Sequence, residues 1–75
     1  MKNITGARIK SLRGMRGLSQ RDLVRECELL GYPITQNMIS RIETGKRRVT
    51  DFEIGMFMEV FHVTSTFFLE NISDS

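Results

Sequence analysis

Apolar residues recur along this chain at spacings of three and four, and no segment of useful length alternates apolar with polar residues. The first pattern is typical of helices that bury one face, and the second is typical of strands. The sequence predicts five helices, at about residues 5–16, 19–30, 36–44, 50–61 and 64–69. We therefore expect an all-α fold, a compact five-helix bundle. The predicted core positions are Ala7, Ile9, Leu12, Leu23, Val24, Cys27, Leu30, Ile39, Ile42, Ile54, Phe57, Met58, Phe61, Phe67, Phe68 and Leu69.

Local signals mark where these helices begin and end. Ser19 with Asp22, and Thr50 with Glu53, form two capping boxes, in which each side chain can accept a hydrogen bond from a free backbone N–H at the helix start. A residue in the left-handed conformation commonly ends a helix, and glycine adopts that conformation without strain. The residues expected at these ends are Gly17, Gly31, Gly45 and His62.

The chain has 75 residues with one cysteine and one histidine, which predicts a single domain over residues 1–75 with a core of about residues 4–70. One cysteine cannot close an intrachain disulfide, and one cysteine with one histidine cannot supply the four ligands of a structural zinc. The longest stretch without a charged residue has 12 residues, whereas a membrane span needs about 20 apolar ones. No apolar stretch typical of a secretory signal follows Met1. We expect a cytoplasmic protein with no metal, no cofactor and no membrane contact.

Charge divides the chain into two parts. Residues 1–50 contain all 11 Lys and Arg against four acidic residues, a balance of +7, whereas residues 51–75 contain five acidic residues and no Lys or Arg. All five Phe lie in the acidic part. A basic part of this kind suits a polyanionic partner, although charge alone leaves open an ordinary solvated surface without a partner.

Residues 19–44 combine a capped helix, a turn and a second helix, which is the sequence pattern of a helix-turn-helix whose second helix enters the major groove of DNA. Gln36, Asn37 and Arg41 share the predicted outer face of that second helix. Gln and Asn can bond to adenine edges and Arg to guanine edges, so we predict that these three residues contact bases, with a plain solvated face as the alternative. The predicted phosphate contacts are Gln20, Arg21, Thr35, Ser40, Lys46, Arg47 and Arg48.

Two longer motifs carry a family resemblance. They read Arg13-x-x-x-Gly17-Leu18-Ser19-Gln20-x-x-Leu23 and Ile39-Ser40-Arg41-Ile42-Glu43-x-Gly45-Lys46. With the apolar positions that follow them, they resemble the phage repressor and Cro type of helix-turn-helix domain, an XRE-like family. The resemblance implies a lambda repressor-like five-helix bundle, base contacts from Gln36, Asn37 and Arg41, and a phosphate contact from Gln20. It also implies a structural ion pair between Arg13 and Glu43.

One departure from that family is the interval of 16 residues between Gln20 and Gln36, which is longer than usual. It predicts a longer second helix and a rebuilt connection at residues 32–34. The resemblance implies a sequence-specific regulator of transcription, expected to be a repressor that binds a palindromic operator of double-stranded DNA as a homodimer. An antitoxin-like protein-binding module is the alternative. An enzyme is not expected, because no nucleophile-base pair, paired carboxylates or Gly-rich phosphate loop is present, and no small-molecule ligand is evident.

Overall fold

The computed structural model describes the backbone of residues 4–64 and the side chains of residues 5–64. Four α-helices make up this part of the chain: α1 (Ile4–Met15), α2 (Gln20–Leu29), α3 (Gln36–Glu43) and α4 (Asp51–Phe61). No residue of the described range lies in a strand, so the all-α prediction is confirmed there. The predicted fifth helix, with Phe67, Phe68 and Leu69, lies outside the described residues.

Both predicted capping boxes are present. The Ser19 hydroxyl accepts a hydrogen bond from the Asp22 N–H at 3.0 Å, and the Asp22 carboxylate accepts one from the Ser19 N–H at 3.0 Å. These hydrogen bonds from Ser19 hold the pKa of Asp22 below its usual value. Thr50 and Glu53 make the same exchange at the start of α4, at 3.2 and 3.1 Å. Local hydrogen bonds that the sequence predicts therefore mark the starts of α2 and α4.

Left-handed residues follow each helix end where the sequence predicts them. Gly17, Gly31 and Gly45 have positive φ angles of 68°, 92° and 81°. His62 has φ 57° and ψ 47° and ends α4, with its N–H donating to the Met58 carbonyl. Because His62 has a Cβ, it holds this conformation at a cost that glycine would not have.

The core lies where α3 packs against α1 and α2, and where α2 packs against α4. Two predicted core positions are wrong, because Ala7 and Leu30 are exposed. Ala7 lies two residues before Ile9, which places it on the opposite side of α1. Leu30 follows the end of α2, and its N–H bonds to the Cys27 carbonyl three residues back, which turns its side chain away from the buried stripe. The buried apolar residues are Ile9, Leu12, Leu23, Cys27, Ile34, Ile39, Ile42, Met56, Phe57 and Phe61.

Candidate nucleic-acid interface

Helix α3 has one buried and one exposed face. Ile39 and Ile42 are fully buried, whereas Gln36, Asn37 and Arg41 are exposed. Within residues 4–64, none of these three polar side chains hydrogen-bonds to another residue. Their amide and guanidinium groups are therefore available, on one helix face, to bond to a ligand outside the protein.

An ion pair under this face joins α1 to the end of α3. Arg13 Nε donates to Glu43 Oε2 at 2.8 Å, and Arg13 Nη2 donates to Glu43 Oε1 at 3.0 Å. The Glu43 side chain is 3% exposed and that of Arg13 is 16% exposed. The third guanidinium nitrogen of Arg13 donates to the Leu18 carbonyl at 2.9 Å. This bidentate contact raises the pKa of Arg13, and it ties the end of α3 to α1.

Gln20 belongs to the same network. Its Nε2 donates to Glu43 Oε1 at 3.1 Å, which joins the start of α2 to the end of α3. This contact uses one of the two N–H groups of the Gln20 amide, so the second can still donate to another group. Glu43 therefore holds three donor groups from two side chains, and its negative charge is matched inside the protein rather than presented to a ligand.

The remaining residues predicted to contact phosphate lie around the ends of α2 and α3. Arg21 and Thr35 are exposed, and Ser40 is half-buried. The Thr35 hydroxyl accepts a hydrogen bond from the Met38 N–H at 3.2 Å, which caps α3 and leaves the hydroxyl proton free to donate outward.

The basic loop, residues 45–50, folds back on the end of α3. The backbone N–H groups of Lys46 and Arg47 both donate to the Arg41 carbonyl, at 2.8 and 3.1 Å. Lys46 and Arg48 are exposed, whereas Arg47 is half-buried and directs its guanidinium at Glu53 in α4. Two exposed cations thus lie in the loop directly after α3, and the contact with Glu53 separates Arg47 from them.

Three further contacts are not predicted by the sequence. Glu53 binds Arg47, the Tyr32 hydroxyl donates to Glu59 at 2.6 Å, and the Arg16 guanidinium donates to the Phe61 carbonyl at 2.6 Å. Each joins residues on different elements, and spacing along the chain contains no signal for them. The capping pattern had identified Glu53, but only as a helix cap.

Other kinds of site find no support in the described part of the chain. Residues 4–64 contain no group of three or more His, Cys, Asp or Glu side chains placed to hold a metal ion. None of the four helices is long and apolar enough to cross a bilayer.

Comparison with known proteins gives one match. The comparisons with curated proteins and with solved structures each returned none. A family model described as a helix-turn-helix domain matches residues 5–66, which include α1 to α4 and the exposed face of α3. This match covers most of the chain, and its location agrees with the resemblance in the Arg13 and Glu43 motifs. The chain belongs to the helix-turn-helix domain family.

Proposed function

We propose that this protein is a sequence-specific double-stranded DNA-binding regulator of transcription, and that it represses by occupying a palindromic operator as a homodimer. The observation that carries the proposal is the exposed polar face of α3, with Gln36, Asn37 and Arg41 on a helix whose other face is buried. A helix of this kind in a helix-turn-helix domain is placed in the major groove. The proposed role is binding rather than catalysis, in the cytoplasm and without a cofactor.

The proposed base contacts follow from the chemistry of the three side chains. Gln36 and Asn37 are at the N-terminal end of α3 and can each bond to adenine N6 and N7, while Arg41 can bond to guanine O6 and N7. Each bidentate contact is worth about 1–3 kcal/mol of discrimination against the wrong base. The buried pair of Arg13 and Glu43 supports this proposal, because it holds the helix that presents these side chains.

The proposed phosphate contacts surround this helix and determine its register on the duplex. The cationic, hydroxyl and amide side chains at these positions are exposed or half-buried. The phosphate contacts that we propose here are Gln20, Arg21, Thr35, Ser40, Lys46 and Arg48.

The homodimer is proposed from the way helix-turn-helix proteins bind DNA and from the distribution of charge along the chain. A helix-turn-helix protein reads two half-sites about one helical turn apart when it has two-fold symmetry. The acidic part of the chain, residues 51–75, is expected to face away from the phosphates and to hold the dimer. Occupying such a site would block polymerase, which is the basis for proposing repression.

A protein-binding module of the antitoxin type is the second candidate. Leu29 is 74% exposed and Phe52 is 67% exposed, so large apolar side chains remain open to a partner protein. Single exposed apolar residues are common on proteins, which makes this candidate the weaker one.

The test is selection of bound sequences from a random pool of double-stranded DNA at about physiological salt. The proposal expects an enriched site with two-fold symmetry and half-sites roughly 10 base pairs apart. Asn37→Ala should relax preference at one position of each half-site, whereas Lys46→Ala should weaken binding to all sequences alike. Enrichment of no sequence, with equal losses for both variants, would refute base reading by α3.

A further inference from the structure

Among the three cations at positions 46–48, Arg47 differs from its neighbours because its charge is already matched. Arg47 Nη1 lies 2.8 Å from Glu53 Oε1, and Arg47 Nη2 lies 2.6 Å from Glu53 Oε2. Lys46 and Arg48 are exposed, and their side chains bond to nothing else within residues 4–64. Sequence alone groups all three as phosphate ligands, whereas this contact distinguishes Arg47 from the other two.

The Glu53 carboxylate is mostly buried, and Arg47 supplies the cation that balances its charge. Only 8% of the surface of Glu53 is exposed, and its Oε1 also accepts from the Thr50 N–H at 3.1 Å. The hydrogen bonds from Arg47 are the main cause that lowers the pKa of Glu53, so the carboxylate is ionised at neutral pH. A carboxylate held out of water is unfavourable without a cation beside it.

We propose that Glu53 is a positioning residue that acts through Arg47: it keeps this guanidinium off the DNA backbone and leaves Lys46 and Arg48 as the phosphate contacts of the loop. The inference rests on the proposed function, since it concerns which cations of the loop meet DNA.

The exchange of partners that would bring Arg47 to a phosphate is unfavourable. Moving the guanidinium would take two charge-assisted hydrogen bonds from the Glu53 carboxylate and leave it only the bond from the Thr50 N–H. The phosphate gained in return lies in water, where mobile ions screen its charge, while the existing pair is shielded by protein.

Arg47 also connects the loop to the helices on either side of it. The Arg47 N–H donates to the Arg41 carbonyl at the end of α3, and the Arg47 side chain reaches Glu53 in the first turn of α4. Arg47 therefore spans the interval between two helices. Lys46 and Arg48 flank Arg47 in sequence, and both are exposed.

The experiment measures how binding to a random-sequence DNA duplex depends on salt, because each phosphate contact adds about 0.9 to the slope of log K against log salt. The probes are the wild-type chain, Glu53→Gln, and the double variant Arg47→Gln with Glu53→Gln. The Gln carbonyl can still accept from Thr50, so the helix cap is kept. Glu53→Gln should steepen the slope by about 0.9, since it frees Arg47 for a phosphate. The double variant should return the slope to the wild-type value.

Arg48→Gln is the matched control, and it should reduce the slope by about 0.9. A double variant with a slope about 0.9 smaller than the wild type would show that Arg47 contacts phosphate in the native protein and would overturn the inference. An unchanged slope for Glu53→Gln would also overturn it. Circular dichroism at each salt concentration confirms that the variants are folded.

The same inference can be tested on the wild-type protein by NMR. Nitrogen NMR of the arginine guanidinium groups should show the Arg47 signals unchanged when the duplex is added, while those of Arg48 shift. A shift of the Arg47 signals equal to that of Arg48 would contradict the inference. If the wild-type chain binds no duplex even at low salt, the proposed function itself fails, which is a different result from a changed slope.

Discussion

Replacing Glu43 with alanine tests how far the placement of α3 depends on one buried carboxylate. The substitution removes the acceptor for two nitrogens of Arg13 and for the Gln20 amide. Gln20 is half-buried, so its amide can turn toward water at little cost. Arg13 keeps its bond to the Leu18 carbonyl, but its charge is left in a site where only 16% of the side chain is exposed.

The magnitude follows from that uncompensated charge. Removing one partner of a buried pair costs about 3–5 kcal/mol. The partial exposure of Arg13 and its remaining hydrogen bond place Glu43→Ala at the lower end, about 3 kcal/mol. A domain of this length is stable by roughly 4–11 kcal/mol, so the loss would be a large fraction of the free energy of unfolding.

Urea denaturation followed by far-UV circular dichroism measures this loss. With a slope of about 1 kcal/mol per molar urea, the midpoint should fall by about 3 M. Glu28→Ala is the control, because Glu28 is exposed on α2 and its removal should change stability by less than about 0.5 kcal/mol. Adding Arg13→Met to Glu43→Ala should restore part of the stability, since the unpaired charge is gone. A loss below about 1 kcal/mol for Glu43→Ala, or no recovery in the double variant, would refute the reasoning.

Three further predictions follow from single residues. Burial raises the pKa of Cys27 to about 11, so at pH 8 the folded chain should react with a disulfide reagent far more slowly than the chain in urea, and equal rates would contradict the burial. Arg47 lowers the pKa of Glu53 below its ordinary value of 4.5. The ion pair should therefore stabilise the fold above pH 4.5, and this stabilisation should be lost as the pH falls through the lowered pKa of the folded state. Urea midpoints of Glu53→Gln should then depend less on pH in this acidic range than those of the wild type. His62→Gly should raise the free energy of unfolding by about 0.5 kcal/mol, because relief of the left-handed strain exceeds the added entropy of the unfolded chain, and a lower urea midpoint would contradict this.

Local patterns predicted the helices well because the interactions that begin and end them are local. Ser19 reaches Asp22 within one helical turn, and Thr50 reaches Glu53 in the same way. Positive φ at a helix end needs only a residue that tolerates it, which is why the glycine positions were informative. Burial was harder to predict than helix ends. Leu30 continues the apolar spacing of α2, but it lies after the last helical residue, where the backbone no longer follows the helix.

The sequence predicted which side chains of α3 share an exposed face, but it predicted only part of the network of ion pairs around that face. Arg13 and Glu43 are 30 residues apart, and only the resemblance to a family suggested that they meet. Arg47 and Glu53 are six residues apart across a loop and a helix start, and neither helical nor strand spacing brings such positions together. A pair of this kind depends on the path of the backbone between elements, which residue types alone do not specify.

The long interval between Gln20 and Gln36 bears on the proposed reading of DNA, because the connection within it sets where α3 begins. Helix α2 ends at Leu29, so residues 30–35 form a connection without helix before α3 begins. A long connection would leave α3 free to tilt, but here Tyr32 donates its hydroxyl to Glu59 and its ring meets Phe52 edge to face, with centroids 5.6 Å apart. Both partners belong to α4, so the start of α3 takes its position from α4 as well as from α2. The end of α3 that we propose reads bases therefore follows a connection that is bonded to α4, the helix in which the acidic part of the chain begins.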